Sequence, residues 1–186
     1  MSLIIREIKA KSILTKSGIP GVDYCVNPYV GCSHGCRYCY ATFMKKYTGH
    51  TEPWGGFVDV KINAPEILQK QLKRAKRGRV LISSVTDAYQ PIESKYKLTR
   101  QCLEALLQCQ FPVDILTKSP LVLRDIDLIK TLVLRDTDLI KKFKDIEVGI
   151  TITTNDEKIS RVFEPNAPSI IARIRTLNWS GAANES

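Results

Sequence analysis

Apolar residues fall along this chain in short runs separated by polar turns, and the runs alternate between two kinds of element. Val22–Val30 reads as a strand that leads into a cysteine-rich loop, and a helix is expected over Tyr38–Lys46. Phe57–Ile62 reads as a short strand. Asn63 is placed to cap the following helix, with Pro65 in its first turn and Gly78 just past its end. Arg79–Val85 is expected to be a buried strand, because Val80, Leu81 and Ile82 are consecutive. Thr99 is placed to cap a helix whose Leu103, Leu106 and Leu107 share a face. Val113–Thr117 is then a strand, Pro120–Phe143 a long helix, Ile146–Thr153 a strand, and 169–177 a last helix. Strands alternating with helices imply right-handed βαβ units and a parallel sheet covered by helices, an α/β fold. In such sheets functional side chains gather at the C-terminal ends of the strands. The cysteine loop and the polar stretches after Val85 and after Thr117 are therefore expected to converge.

Within the expected long helix, LVLRDIDLIK at 121–130 returns as LVLRDTDLIK at 132–141, a period of 11 residues. Eleven residues turn a helix by about 1,100°, about 20° beyond three full turns, so the apolar stripe keeps its direction. The duplication adds roughly 16 Å of helix, or else loops out. The aspartates at 125 and 127, and again at 136 and 138, are read as exposed helix polarity rather than as a metal site.

Composition changes this picture little. The 186 residues suit a single domain spanning 1–186, 44% hydrophobic and 25% charged. No apolar run has membrane-spanning length and the N-terminus has no signal-peptide pattern, so no membrane partner and a cytoplasmic location are expected. The net charge of +9 suits an anionic partner such as nucleic acid. Its densest cluster (Lys70, Lys73, Arg74, Lys76, Arg77 and Arg79) also suits a plain solvated helix face.

The chemistry lies in the six cysteines. Cys25, Cys32, Cys36 and Cys39 crowd one segment, whereas Cys102 and Cys109 lie far away, a distribution that points to metal or redox chemistry more than to disulfides. Cys32, Cys36 and Cys39 have the spacing C-x3-C-x2-C. Three thiolates on one tight loop can hold three corners of a cubane [4Fe–4S] cluster and leave the fourth iron open to a small molecule. Gly31 and Gly35 let the backbone turn closely around it. A zinc site or a closed cluster is the rival, with Cys25 or His34 as fourth ligand. Against it, Cys25 lies seven residues back on a strand, and His34 reads as a turn residue.

The cysteine loop, with Tyr38 before its last cysteine, resembles the radical S-adenosylmethionine (SAM) superfamily. The strings NPYVGCSHGCRYCYA, EPWGGFVDVKINAPEIL, SSVTDAYQPIE, DILTKSPLVLRDIDLI and ITITTNDEKISRVFEPNAPS are similar to its spore-photoproduct-lyase-like branch over about residues 5 to 172. The resemblance implies a partial (β/α) barrel with a parallel sheet, and a [4Fe–4S] cluster on Cys32, Cys36 and Cys39. It further implies SAM chelating the unique iron, and reductive cleavage of SAM to a 5′-deoxyadenosyl radical. An electron donor such as a flavodoxin or ferredoxin is implied as a partner. The Tyr38 backbone would meet the adenine. Ser84, Thr86 and Asp87 would stand where the superfamily receives the methionine amino group, and Lys118 would pair with the SAM carboxylate. Thr151 and Thr153, on one strand face, would reach the ribose, although strand propensity alone accounts for threonines there. Tyr38 and Tyr40 resemble the lyase's tyrosine pair.

Two departures from the branch bear on function. The strand corresponding to Val80–Val85 carries the lyase's hydrogen-donating cysteine, but Ser84 takes that place here, and an O–H bond is too strong to donate hydrogen as a thiol does. After Ser169 the sequence drifts from the family pattern, so an incomplete barrel lacking its C-terminal strands, with an open sheet edge for self-association, is expected. The expectations are thus a radical SAM enzyme of unknown substrate or, alternatively, a truncated non-catalytic remnant that binds the cluster and SAM; a DNA-repair lyase-like role is a further alternative.

Overall fold

In this computed structural model, residues 2–131 and 145–181 are described. The chain forms β1 (Ile4–Ile8), β2 (Leu14–Lys16), β3 (Tyr24–Val26), β4 (Tyr29–Val30), a 3-10 segment (Tyr40–Tyr47), β5 (Phe57–Lys61), α1 (Ala64–Leu72) and β6 (Val80–Ile82). There follow α2 (Glu93–Tyr96), α3 (Leu98–Gln108), β7 (Val113–Thr117), a 3-10 turn (Pro120–Asp125), α4 (Ile126–Thr131), β8 (Ile146–Ile150), α5 (Glu157–Phe163) and α6 (Ile170–Gly181). The strands make a five-stranded sheet in the order β2-β3-β6-β7-β8 and a three-stranded sheet in the order β1-β5-β4. β3, β6, β7 and β8 run parallel to one another, and β2 is antiparallel to β3. The result is a mixed α/β fold built on a parallel sheet.

The pleat divides the large sheet into two faces. Val80 and Ile82 of β6, with Val113 and Ile115 of β7, join Leu68 and Leu72 of α1 and Cys102, Leu103 and Leu106 of α3 in one apolar core. Fully burying each such aliphatic side chain stabilises by about 1.5–3 kcal/mol, which makes this face the main source of folding energy. Leu81 and Leu116, at the intervening positions, instead line a cavity on the opposite face.

Several elements differ from the sequence pattern for identifiable reasons. The run expected over Val22–Val30 divides at Asn27-Pro28, because proline cannot donate to a ladder. β3 stays in the large sheet, and β4 joins the small one. The strand expected over Arg79–Val85 ends at Ile82, since Ser83 takes a left-handed φ of 65°. The helix expected after Cys36 is a 3-10 segment with no side-chain cap. Asn63 stands at the N-cap position of α1, but its side chain makes no capping bond: it accepts from Ala10 N at 2.8 Å and donates to Ala10 O at 3.0 Å. Thr99 lies inside α3 and donates to Ala88 O at 2.7 Å, while the Glu93 carboxylate accepts from Thr99 N at 3.0 Å. The helix expected from Pro120 begins as a 3-10 turn before α4. The second repeat copy, with Asp136 and Asp138, lies outside the described residues. β8 ends at Ile150, so Thr151 and Thr153 stand beyond the strand rather than on one of its faces. β1, β2, α2 and α5 are too short or too mixed in pattern to be read from periodicity.

Candidate functional site

The C-terminal ends of four parallel strands open on one cavity of about 380 Å³. β3 feeds, through β4, the loop that carries the cysteines. β6 is followed by Ser83–Asp87, β7 by Lys118, and β8 by Thr151. Cys32, His34, Cys36, Tyr38, Cys39, Tyr40, Ser83, Ser84, Thr86, Asp87, Lys118 and Thr151 all line it. Thr153 is exposed and outside this lining.

The loop is held rigidly. Gly31 has φ +84°, and a Cβ there would meet Phe57 O at 2.5 Å; Gly55, at φ +96°, has room for none because Gly35 Cα would lie 2.7 Å away. Buried Gln90 accepts from Ser33 N at 2.9 Å and donates to Gly31 O at 3.2 Å. Asn166 donates through its side chain to Ser33 O at 3.1 Å and through its backbone to His34 O at 3.3 Å. Arg37 N donates to Phe163 O at 2.8 Å, tying the loop to the end of α5.

All six cysteines are free thiols. Burial, with Asp87 nearby, pushes the Cys32 thiol up to about 12, and burial also raises Cys36 although Lys118 opposes it. Such thiols stay protonated until a cation draws off their protons, as metal ligation requires. Among the described residues no three His, Cys, Asp or Glu side chains converge closely enough to hold a single ion. Thiolates on three different irons of a cubane need no such convergence. Three free thiols on a tight glycine loop that opens on one roomy cavity fit the cluster. Cys25 lies on β3, and it lines an adjoining groove instead of this cavity.

Several of the expected contacts have partners within the protein. The Thr86 hydroxyl donates to Gly31 O at 2.7 Å and accepts from Gln90 at 2.9 Å, which makes it a brace for the cysteine loop. Asp87 accepts from Thr117 Oγ1 at 2.6 Å, Tyr89 N at 2.9 Å and Lys118 N at 2.9 Å. Ser84 Oγ accepts from Asn27 Nδ2 at 3.2 Å, and the Tyr40 hydroxyl donates to Ser84 O. Lys118 Nζ lies 3.8 Å from Glu164 and 5.8 Å from the centre of the Tyr38 ring.

Glu164 and Arg173 are the site residues that sequence reasoning missed. Both side chains are fully buried and meet at 2.6 Å, and the Tyr38 hydroxyl also donates to Glu164. Burial pushes the Glu164 carboxyl up, but the hydrogen bonds from Tyr38 and Arg173 outweigh it and hold the group below the usual glutamate range. Burial and the bond to Glu164 raise the Tyr38 phenol, and burial lowers His34 so that its imidazole is neutral. Among the described residues, His34 Nε2, Ser33 Oγ, Ser83 Oγ and Arg173 Nη2 are buried without a hydrogen-bond partner. The usable signal for Glu164 was its place in the FEPNAPS string; nothing in the pattern marked Arg173 as buried.

Among known proteins, the chain is 41% identical to an uncharacterized protein of Methanocaldococcus jannaschii over 184 residues, which are 97% of this chain and 64% of that one. It is 31% identical over 106 residues to the radical SAM Nα-GlyT isomerase of Pseudomonas phage M6, covering 55% of this chain and 21% of the isomerase. Among solved structures, spore photoproduct lyase complexed with dinucleoside spore photoproduct superposes with a TM-score of 0.64 at 17% identity, over 97% of this chain and 48% of the lyase. A mutant of that lyase with bound AdoMet and dinucleoside spore photoproduct gives 0.63 at 17% identity, over 98% of this chain and 48% of the lyase. At such identity the likeness is one of fold. The chain thus spans less than two thirds of the archaeal relative and about half of the lyase. A family described as "Protein of unknown function (DUF5131)" matches residues 16–178, and the chain belongs to it.

Proposed function

We propose that this member of a family without an assigned activity is a radical SAM protein. In this reading Cys32, Cys36 and Cys39 hold a [4Fe–4S] cluster and leave one iron for SAM. The observation that carries it is the gathering of all three cysteines of a C-x3-C-x2-C loop, as free thiols, in one cavity at the C-terminal ends of a parallel sheet. The cluster, when bound and reduced, supplies the electron that cleaves SAM to methionine and a 5′-deoxyadenosyl radical. The chain's own residues bind and orient. The Tyr38 backbone meets the adenine, while Ser84 and Asp87 line the seat of the methionine amino group and Thr86 braces the loop beside it. Lys118 turns from Glu164 toward the SAM carboxylate, and Thr151 and Thr153 flank the ribose. Tyr38 and Tyr40 are the candidate catalytic side chains.

The five-stranded sheet is, in this reading, the first part of a partial (β/α) barrel in a single domain over 1–186. A cytoplasmic location, where a flavodoxin or ferredoxin supplies electrons, suits six free cysteines. Among the described residues no helix is long and apolar enough to cross a membrane. A nucleic-acid substrate is consistent with the +9 charge. Ser84, at the place of the lyase's cysteine, argues against photoproduct repair as the reaction.

The test is anaerobic reconstitution with iron and sulfide, reduction with dithionite, and addition of SAM. The expected product is 5′-deoxyadenosine, lost in Cys36→Ala. Stoichiometric zinc without iron–sulfur absorption overturns the reading. A cluster that binds SAM without cleaving it assigns a binding role in place of catalysis.

A further inference from the structure

The groove beside the cysteine cavity has a volume of about 430 Å³ and shares Tyr40, Ser84 and Val85 with it as a common wall. The cavity itself, at about 380 Å³, has room for one small ligand, so a second compound brought to it must sit alongside. No carboxylate lines the groove, whereas hydrogen-bond donors do. Lys61 is half-buried there, and its Nζ donates to Asn27 O at 2.8 Å, which uses one of its three N–H groups. It forms no ion pair among the described residues: Asp59, two residues back on the same face of β5, is taken by His50 at 2.8 Å. Burial lowers the Lys61 ammonium, although Asp59 opposes this. Three hydroxyls add to the surplus of donors. Ser12 accepts from Gln71 at 2.8 Å, Ser17 from Ile19 N at 2.9 Å and Ser84 from Asn27 at 3.2 Å, and none of the three donates a bond among the described residues. A cation drawn out of water without a counter-charge is costly, and a compact oxyanion answers both that charge and the spare donors.

We propose that this groove seats the substrate of the radical chemistry, and that Lys61 binds a phosphate group of that substrate with Ser12 and Ser17 as further donors. The inference rests on the radical SAM reading above and adds the substrate's class and place. Ser12 precedes β2, Ser17 follows it and Lys61 ends β5, so the donors arrive from separate parts of the fold. The three acceptor oxygens of a phosphate suit such an arrangement better than the two coplanar oxygens of a carboxylate. Tyr40 and Ser84, in the common wall, then stand between the bound phosphate and the cysteine loop, and the reacting end of the substrate passes them into the cavity. A small phosphate ester and a nucleic-acid strand both carry the group, and the experiment separates the two.

The experiment uses the full chain labelled with nitrogen-15 and kept free of oxygen, titrated with inorganic phosphate, ribose 5-phosphate and a single-stranded octanucleotide, and followed by nuclear magnetic resonance. The Asn27 side-chain amide and the backbone amides of Ser17 and Ile19 should shift on phosphate addition. Lys61→Met should weaken phosphate binding by about tenfold and Lys61→Arg should keep it, because the charge-assisted bonds are lost only in the first. Lys70→Met, in the exposed cluster of α1, should leave binding unchanged. Tighter binding of ribose 5-phosphate than of phosphate, at the same amides, assigns the seat to a small ester. Tighter binding of the octanucleotide assigns it to a strand, and either result supports the phosphate seat. Shifts confined to the Lys70–Arg77 cluster, or shifts at Ser17 and Asn27 that survive Lys61→Met, overturn the inference. So does displacement of the phosphate by SAM in the reconstituted chain, which would put the anion in the cofactor's own cavity. Should Lys61→Met not fold, Ser17→Ala decides, with a severalfold loss of phosphate affinity expected and an unchanged affinity overturning the proposal. The phosphate titration is read before iron and sulfide are added. Failure to load a cluster therefore overturns the radical SAM reading and the substrate's reaction, and leaves the phosphate seat standing.

Discussion

Two groups of buried ionisable side chains in this protein are satisfied to different degrees. Around α2 and α3, Glu93 receives Arg124 at 2.7 Å, Thr99 N at 3.0 Å and the Tyr29 hydroxyl, while Asp125 receives Arg124 at 2.6 Å and Arg100 at 3.1 Å. Each of these carboxylates and guanidinium groups has a partner. At the strand ends, Glu164, Arg173, Lys118, Asp87 and His34 are also linked, yet His34 Nε2, Ser83 Oγ and Arg173 Nη2 remain unpaired. Each unpaired buried group costs roughly 1–3 kcal/mol. The charges of the first group are all paired within it and fix the fold, although the Tyr89 hydroxyl beside Arg124 is unpaired as well. The second keeps two of its unpaired residues, His34 and Ser83, in the wall of the cavity that gathers the cysteines.

The largest way to break that contrast is Glu93→Ala. It strips the charge from beside Arg124 and leaves Thr99 N and the Tyr29 hydroxyl without their acceptor. Arg124 keeps Asp125, so the loss comes from the two orphaned buried donors, and about 2–5 kcal/mol in urea unfolding is expected. A loss below about 1 kcal/mol would mean that this network is not the structural anchor described above.

The next effect separates the two groups by pH. Glu164 is held below the usual glutamate range by Tyr38 and Arg173, despite its burial. A depressed carboxyl stabilises the fold fully above its unfolded value, about 4.3, and loses that contribution as pH falls through its lower folded value. Glu164→Gln should therefore cost about 1.5–3 kcal/mol at neutral pH. The gap to the unmutated chain should narrow as pH drops below about 4. Chemical unfolding of both chains at several pH values checks this, and a gap independent of pH contradicts it.

These groups also show what the sequence could and could not carry. The cysteine spacing, the parallel order of β3, β6, β7 and β8, and the meeting of Ser83–Asp87 with Lys118 at the strand ends follow from local pattern and the rules of βαβ topology. Glu164 and Arg173 do not, because their pairing depends on how the end of α5, tied to the cysteine loop, meets α6, which packs on β8 and the 3-10 turn. The division of Val22–Val30 between two sheets was signalled by Pro28, whereas the end of β6 at a left-handed Ser83 was not. His34 does stand in a turn, closed by Gly35 N donating to Cys32 O at 3.2 Å, but its burial, like that of Arg173 in α6, is a tertiary fact.

A smaller test sharpens the contrast from the ligand's side. Ser83 combines φ +65° with a buried unpaired hydroxyl, while its backbone N donates to Val26 O at 2.8 Å. Ser83→Gly keeps that backbone bond, relieves the strain and removes the orphan. Glycine's extra unfolded-state entropy offsets part of the gain, so a stabilisation of about 0.5–1 kcal/mol is expected. A stabilised apo chain that binds SAM more weakly would identify the hydroxyl as retained for the ligand. A destabilised chain would show that the hydroxyl supports the fold.

The smallest effect lies at the rim of the closed group. Asp127 receives Arg100 at 2.8 and 2.7 Å, and this hydrogen bonding holds its carboxyl below the usual aspartate range. Its side chain is nevertheless 58% exposed, so water and salt screen the pair. Arg100 also keeps Asp125 at 3.1 Å and Glu104 at 3.2 Å when Asp127 is neutralised. Asp127→Asn should therefore cost less than about 0.5 kcal/mol, and raising the salt concentration should abolish even that. An effect approaching that of Glu93→Ala, or one indifferent to salt, would place Asp127 inside the network and move the boundary of the structural anchor outward to the protein surface.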